Sequence, residues 1–162
     1  MLKQRISSDI LSAAKNKEEI ALSVLRMLSA AILSKEKEKR YKLSKSTAES
    51  ELDEKSALTD EEILDTVASE AKKRKESIIA FEKGNRPELA EKEKKELEIL
   101  MKYLPEQINI EELRVMVKDA IDKVGAKEIR DMGKVMAELM PKVKGKADGG
   151  EISKIAKELM GK

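Results

Sequence analysis

The sequence predicts an all-α protein in two parts: an N-terminal multi-helix domain with long helices and a small three-helix C-terminal tail. Three observations carry this. Ala, Leu, Glu and Lys dominate, all strong helix formers, and the 162 residues include only three prolines. Apolar residues recur at i, i+3, i+4 and i+7 in segment after segment, the spacing of one helix face. Capping signals then punctuate the pattern, with Thr59/Glu62, Asn109/Glu112 and Asp148/Glu151 each spaced as a capping box.

The elements follow in order. Leu2, Ile6, Ile10 and Leu11 mark the apolar face of a first helix, which Asn16 and Lys17 interrupt. A longer helix starts near Lys17 or Glu18 and carries Ala21, Val24, Leu25, Leu28, Ala31 and Ile32. Arg26, on this apolar helix, is expected to reach a carboxylate or a helix end, its stem packed on the core. After Leu33 the apolar pattern fades. Six Lys/Arg between Lys35 and Lys45 face two Glu, which reads either as a solvated helix extension or as a basic contact face.

Residues 44–57 form a polar, Ser-rich and acidic insertion, either a mobile loop or an extra helical turn or two. Order resumes at Thr59, and Ile63, Leu64, Val67, Ala71, Ile78 and Phe81 give a helix ending near Gly84-Asn85. About 23 residues make a rod roughly 35 Å long. Pro87 suits the first position of the next helix, which presents Leu89, Leu97, Leu100, Met101 and Leu104. Its charged middle, Glu91 to Glu98, reads as a solvent face. Pro105 bends the chain, and the domain boundary is placed there: residues 1–106 and 107–162.

In the tail, Leu113, Met116, Val117, Ala120, Ile121 and Val124 line one helix, closed by Gly125. Met132, Val135, Met136, Leu139 and Met140 line the second, which Pro141 is expected to stop near Met140. Lys142, Lys144 and Lys146 then crowd a turn where Gly145 can take a positive φ. Ile152, Ile155, Ala156, Leu159 and Met160 belong to the last helix.

Composition narrows the chemistry. There is no cysteine and no histidine, which removes the thiolate nucleophile, the commonest metal ligand and the usual general base. No catalytic set, cofactor motif or metal cluster emerges. Lys plus Arg total 34 against 32 acids, so any site for a polyanion must come from local segregation of charge. Neither a signal-peptide core nor a run of about 18 apolar residues occurs, so a cytoplasmic chain without a membrane anchor is expected. Tyr41, Phe81 and Tyr103 are too few and scattered for a nucleic-acid stacking platform.

The lysine turn is read on chemistry alone as a solvated turn or as a phosphate site, the helix start and the ammonium groups acting together. Gly133, inside a helix, costs about 1 kcal/mol against Ala. Close helix packing is the preferred reason, with approach of a ligand backbone as the other. Methionines 132, 136 and 140 read as adaptable core before a binding groove.

The run from Asp131 to Gly149, DMGKVMAELMPKVKGKADG, resembles the signature of the GatB/YqeY family. Leu104-Pro105-Glu106-Gln107-Ile108 and the segment Leu22 to Leu28 are similar to two further family stretches, and Glu70, Lys73, Arg74 and Glu76 to a third. These last four read as helix-surface ion pairs. The resemblance covers nearly the whole chain and implies a stand-alone YqeY-like protein, related to the tail domain of the B subunit of tRNA-dependent amidotransferase. That tail is thought to contact tRNA. The resemblance therefore implies a non-catalytic tRNA-binding or tRNA-amidotransferase-associated accessory module. Its nucleic-acid-binding positions would be Lys134, Lys142, Lys144 and Lys146, and its partners tRNA and an aminoacyl-tRNA-processing protein. The alternative is a protein-interaction adaptor with no nucleic-acid role. Carbon–nitrogen ligase activity with glutamine as amido donor is the least favoured reading: the amidotransferase needs a glutaminase subunit and a kinase-like cradle, and this chain is too short for either.

Overall fold

The computed structural model describes residues 1–161. Among them every regular element is helical, and they fall into two compact units, Met1–Tyr103 and Leu104–Lys162. No described helix is long and apolar enough to cross a membrane.

The first unit is built around α2 (Glu19–Leu43), which touches each of its four neighbours: α1 (Leu2–Lys15), α3 (Glu49–Ser56), α4 (Asp60–Lys83) and α5 (Pro87–Met101). Val24, Leu25, Leu28 and Ile32 of α2 are buried, as are Ile6 of α1, Ile63 and Val67 of α4 and Leu100 of α5. Beyond Ile32 no residue of α2 is buried, as the fading pattern predicts. Lys17 takes a left-handed φ of 58° at the α1–α2 turn. On α1 the expected face is corrected at Leu11, which is exposed. Ala13 is the buried residue in that turn, so the stripe follows Ile6 and Ala13.

Local chemistry sets the ends of α4 and α5. Thr59 and Glu62 form the full capping box. At the other end of α4 the left-handed residue is Asn85, at φ 52°, and Gly84 stays right-handed. Pro87 opens α5. The insertion is helical: α3 seats Leu52 in the core at 2% exposure, and its Glu49 and Asp53 both pair with Arg40 of α2.

Two surface readings are overturned by packing between α4 and α5. Arg74 is sunk between the helices, pairing with Glu96 at 2.9 Å and Glu93 at 3.1 Å, with the three side chains 15%, 9% and 14% exposed. The charged middle of α5 therefore faces its neighbour at two positions instead of solvent. Spacing along one helix could not show this, because both partners lie on another. Arg26 is exposed and makes no hydrogen bond or ion pair among the described residues, so the expected anchoring does not occur.

The second unit packs α6 (Ile110–Val124), α7 (Met132–Val143) and α8 (Gly149–Met160) around Leu113, Val117, Val135, Leu139, Val143, Ile152 and Ile155. A 3-10 turn, Ile129–Asp131, precedes α7. Asn109 caps α6, and Gly125 ends it at φ 64°.

Candidate nucleic-acid interface

The four lysines singled out by the sequence all lie on the second unit and all are exposed. Lys134 and Lys142 stand on α7. Eight residues separate them, about 12 Å of rise and roughly 80° of rotation, so they share one side of the helix. Lys144 and Lys146 follow in the turn to α8.

The end of α7 differs from expectation. The helix passes through Pro141 and stops only after Val143, so Lys142 belongs to its last turn and not to the loop. A proline inside a helix costs roughly 3 kcal/mol. Burying a valine contributes roughly 1.5–3 kcal/mol, and the extra residues carry Val143 fully into the core. Burial there offsets much of the missing hydrogen bond.

The turn itself is held from outside. Gln107 donates its side-chain amide to the carbonyl of Gly145 at 2.8 Å and to that of Pro105 at 2.9 Å. The Ile108 amide donates to the carbonyl of Lys146 at 2.9 Å. Gly145 takes φ 73°, and a side chain there would touch the Pro105 ring at 3.5 Å. Two stretches 38 residues apart in sequence thus meet, and the backbone carrying Lys144 and Lys146 is fixed before any ligand arrives. In the sequence Gln107 stands only as one residue of the family-like stretch Leu104 to Ile108, beside the Pro105 bend. The signal was an amide side chain beside a proline, a spacing that names no partner.

Charge around the corner is partly balanced. Glu138 accepts from Lys142 at 2.5 Å and from Lys123 of α6 at 2.7 Å. Hydrogen bonds from Lys123 and then Lys142 hold its carboxyl down at about 2. Lys134 pairs with Asp131 at 2.8 Å, and Asp131 also accepts from the Lys127 amide. The bond from Lys134 keeps the Asp131 carboxyl below its usual range, and the same contact raises Lys134. Lys144 and Asp148 make interactions within the chain as well. Asp148 accepts from the amides of Gly150 and Glu151, at 2.8 and 3.2 Å, and so caps α8 with its own carboxylate. These two amides are therefore taken, and the corner's pull on an anion rests on the ammonium groups. Lys123, which spacing along α7 could not suggest, joins them through Glu138.

Gly133 is not explained by helix packing. It is exposed, and a Cβ built on it meets nothing within 4 Å. The helix face beside Lys134 is thus open at the backbone. Met132 and Met136 pack against the core, and Met140 is part-exposed at 37%.

Such an arrangement can bind anions through exposed lysines on a fixed backbone. Among the described residues no group of His, Cys, Asp and Glu is placed to hold a metal ion. The fold and this corner define a class: an all-helical protein of two units carrying a basic corner on the smaller one. Residues 3–160 match the family model described as "Yqey-like protein", so the chain belongs to the YqeY-like family. It is also similar to "Altered inheritance of mitochondria protein 41, mitochondrial" of Pyrenophora tritici-repentis. That protein is 28% identical over 160 residues, spanning 97% of this chain and 80% of its relative.

Proposed function

We propose that this chain is a non-catalytic accessory module that binds tRNA, alone or beside a tRNA-processing enzyme, through the corner formed by Lys134, Lys142, Lys144 and Lys146. In this reading the second unit corresponds to the tail of the amidotransferase B subunit. One observation carries it: the lysine-bearing turn is pinned by Gln107 and Ile108, so two family-like stretches converge on the same few residues. A turn kept only for solubility needs no such bracing. Fixing the backbone in advance removes part of the ordering cost that binding otherwise bears.

The carboxylates nearby do not cancel this. The lysine end of each pair is exposed and the carboxylate half-buried, so each pair contributes about 1 kcal/mol, and a phosphate offers the same ammonium a stronger acceptor set. Asp131 and Glu138 hold Lys134 and Lys142 in place until a phosphate competes.

The test is binding of total tRNA across a salt series. Replacing Lys142, Lys144 and Lys146 together by Ala is expected to flatten the dependence of log K on log salt by about 0.9 for each phosphate no longer neutralised. Unchanged binding, or no tRNA binding by the parent protein at 50 mM salt, refutes the proposal.

A further inference from the structure

A different surface, on the first unit, collects features that the corner does not use. The C-terminal stretch of α2 beyond Ile32 leaves the core and keeps going for three turns. The cations of this stretch and of the turn after it divide into two groups. Arg40 is taken by Glu49 and Asp53 of α3, Lys39 by Glu62 of α4 at 2.8 Å, and Lys35 by Glu38 at 3.6 Å. Lys37, Lys42 and Lys45 are exposed and make no ion pair among the described residues. Tyr41 lies among these three and is 69% exposed, while Tyr103 is buried and Phe81 half-buried. The Lys45 ammonium sits over the Tyr41 ring at 5.4 Å from its centroid.

The helix and the turn after it bring these groups together. Lys37 and Tyr41 stand four apart on α2, with about 6 Å of rise between them, and Lys45 follows in the turn after Leu43, its ammonium brought back over the Tyr41 ring. Lys37 and Tyr41 lie on the side of α2 away from its buried residues. The acids of α3 dock at Arg40 and neutralise it, while Lys37, which lines the same surface hollow as Arg40 and Asp53, makes no ion pair among the described residues. Attraction between the helix C-terminus and cations accounts for Lys42 and Lys45. It does not account for Lys37, nor for the most exposed aromatic of the chain standing between two unpaired ammonium groups.

We infer that this face binds single-stranded RNA: an unpaired base stacks on the open face of Tyr41, and the flanking phosphates meet Lys37 and Lys45. Every base offers a π-face, so the contact tolerates sequence, and the cation over the other side of the ring adds to it. An anionic membrane surface fits less well, because membrane-seated helices present a broad apolar face. Here Tyr41 is bordered by the exposed Lys37, Lys42 and Lys45. The inference does not depend on the corner of the second unit. It does not require a multi-aromatic platform either, only one ring with a phosphate on each side.

The experiment is fluorescence anisotropy with a labelled oligouridylate of twelve nucleotides and the full chain. Tyr41→Ala is expected to weaken binding roughly tenfold, and Tyr41→Phe to leave it unchanged, since the ring and not the hydroxyl is used. Lys37→Ala with Lys45→Ala should flatten the salt slope by about 1.4, since two fewer phosphates of a single strand are neutralised. Replacing Lys142, Lys144 and Lys146 should spare the loss caused by Tyr41→Ala, which keeps the two sites separable. Equal binding by Tyr41→Ala and the parent overturns the inference. So does no oligonucleotide binding at 50 mM salt, or Tyr41-dependent binding to phosphatidylserine vesicles in its place.

Discussion

Replacing Glu138 by Gln tests whether the basic corner is a site or a balanced patch. The structure sets the size of the effect. One carboxylate serves two ammonium groups, Lys142 at 2.5 Å and Lys123 at 2.7 Å, so the three side chains together carry a net charge of +1. Glu138→Gln keeps the shape and raises that to +2. If tRNA meets this corner, one further counterion is released on binding, and the slope of log K against log salt steepens by about 0.9. Between 50 and 200 mM salt that is a change of roughly three- to fourfold in relative affinity. The assay is a filter-binding or anisotropy titration at four salt concentrations. Glu98→Gln, an equal charge change on an exposed site of the first unit, serves as the control. Parallel salt lines for parent and Glu138→Gln would mean that neither Lys142 nor Lys123 meets phosphate. The same residue gives a pH signature. Its folded-state carboxyl lies at about 2, below the ordinary 4.5. The stability it contributes is therefore complete above pH 4.5 and lost as the pH falls towards 2. Acid titration of the second unit's unfolding should be shallower in Glu138→Gln over that window.

Two further predictions concern what holds each unit. Arg74→Met strands Glu93 and Glu96 in a mostly buried site and should cost about 3–5 kcal/mol in urea unfolding, whereas Arg74→Met with both glutamates changed to Leu should recover most of it. A single-variant loss below about 1 kcal/mol would show the cluster to be solvated, in the manner of surface pairs. Gln107→Leu leaves the carbonyls of Pro105 and Gly145 without that donor and should cost about 1–3 kcal/mol. It should also lower tRNA affinity while leaving the salt slope unchanged, because it loosens the turn without removing a charge.

Helix ends were legible wherever the chemistry is confined to a few residues. Thr59 with Glu62 makes the full capping box and Pro87 opens α5, whereas Asn109 and Asp148 cap with their own side chains and the returning bond from Glu112 or Glu151 is not made among the described residues. Burial faces were legible for α2, α4 and α6, where the apolar period is long. Leu11 failed because it follows Ile10 directly, and two adjacent apolar residues lie about 100° apart on a helix, so only one can keep to the stripe. Pro141 failed because its cost is local while its compensation is tertiary, through Val143. Arg74 failed for a related reason: glutamates 19 and 22 positions further on decide its surroundings, and no period within α4 encodes them. The insertion left two readings open, and burial of Leu52 with the Arg40 contacts selects the helical one.

The lysine corner shows how the residues of a candidate site can be picked out in sequence while the way the fold holds them cannot. Alternate lysines beside a helix start occur on many solvated turns, and their charges alone say little. The added information lies at Gln107, whose amide joins the carbonyls of Pro105 and Gly145, and at Gly145, whose left-handed φ lets the turn close against the Pro105 ring. Together these fix the backbone under Lys144 and Lys146. Lys142 is held differently, by the helix running two residues past Pro141 and by Glu138. Lys134 is steadied by Asp131, next to a glycine whose face is open. Rigid backbone under long, exposed cationic side chains suits a ligand of regular charge and variable sequence. A basic cluster that served only solubility would gain nothing from the bracing, so loss of affinity in Gln107→Leu, with every lysine intact, is the result that separates the two.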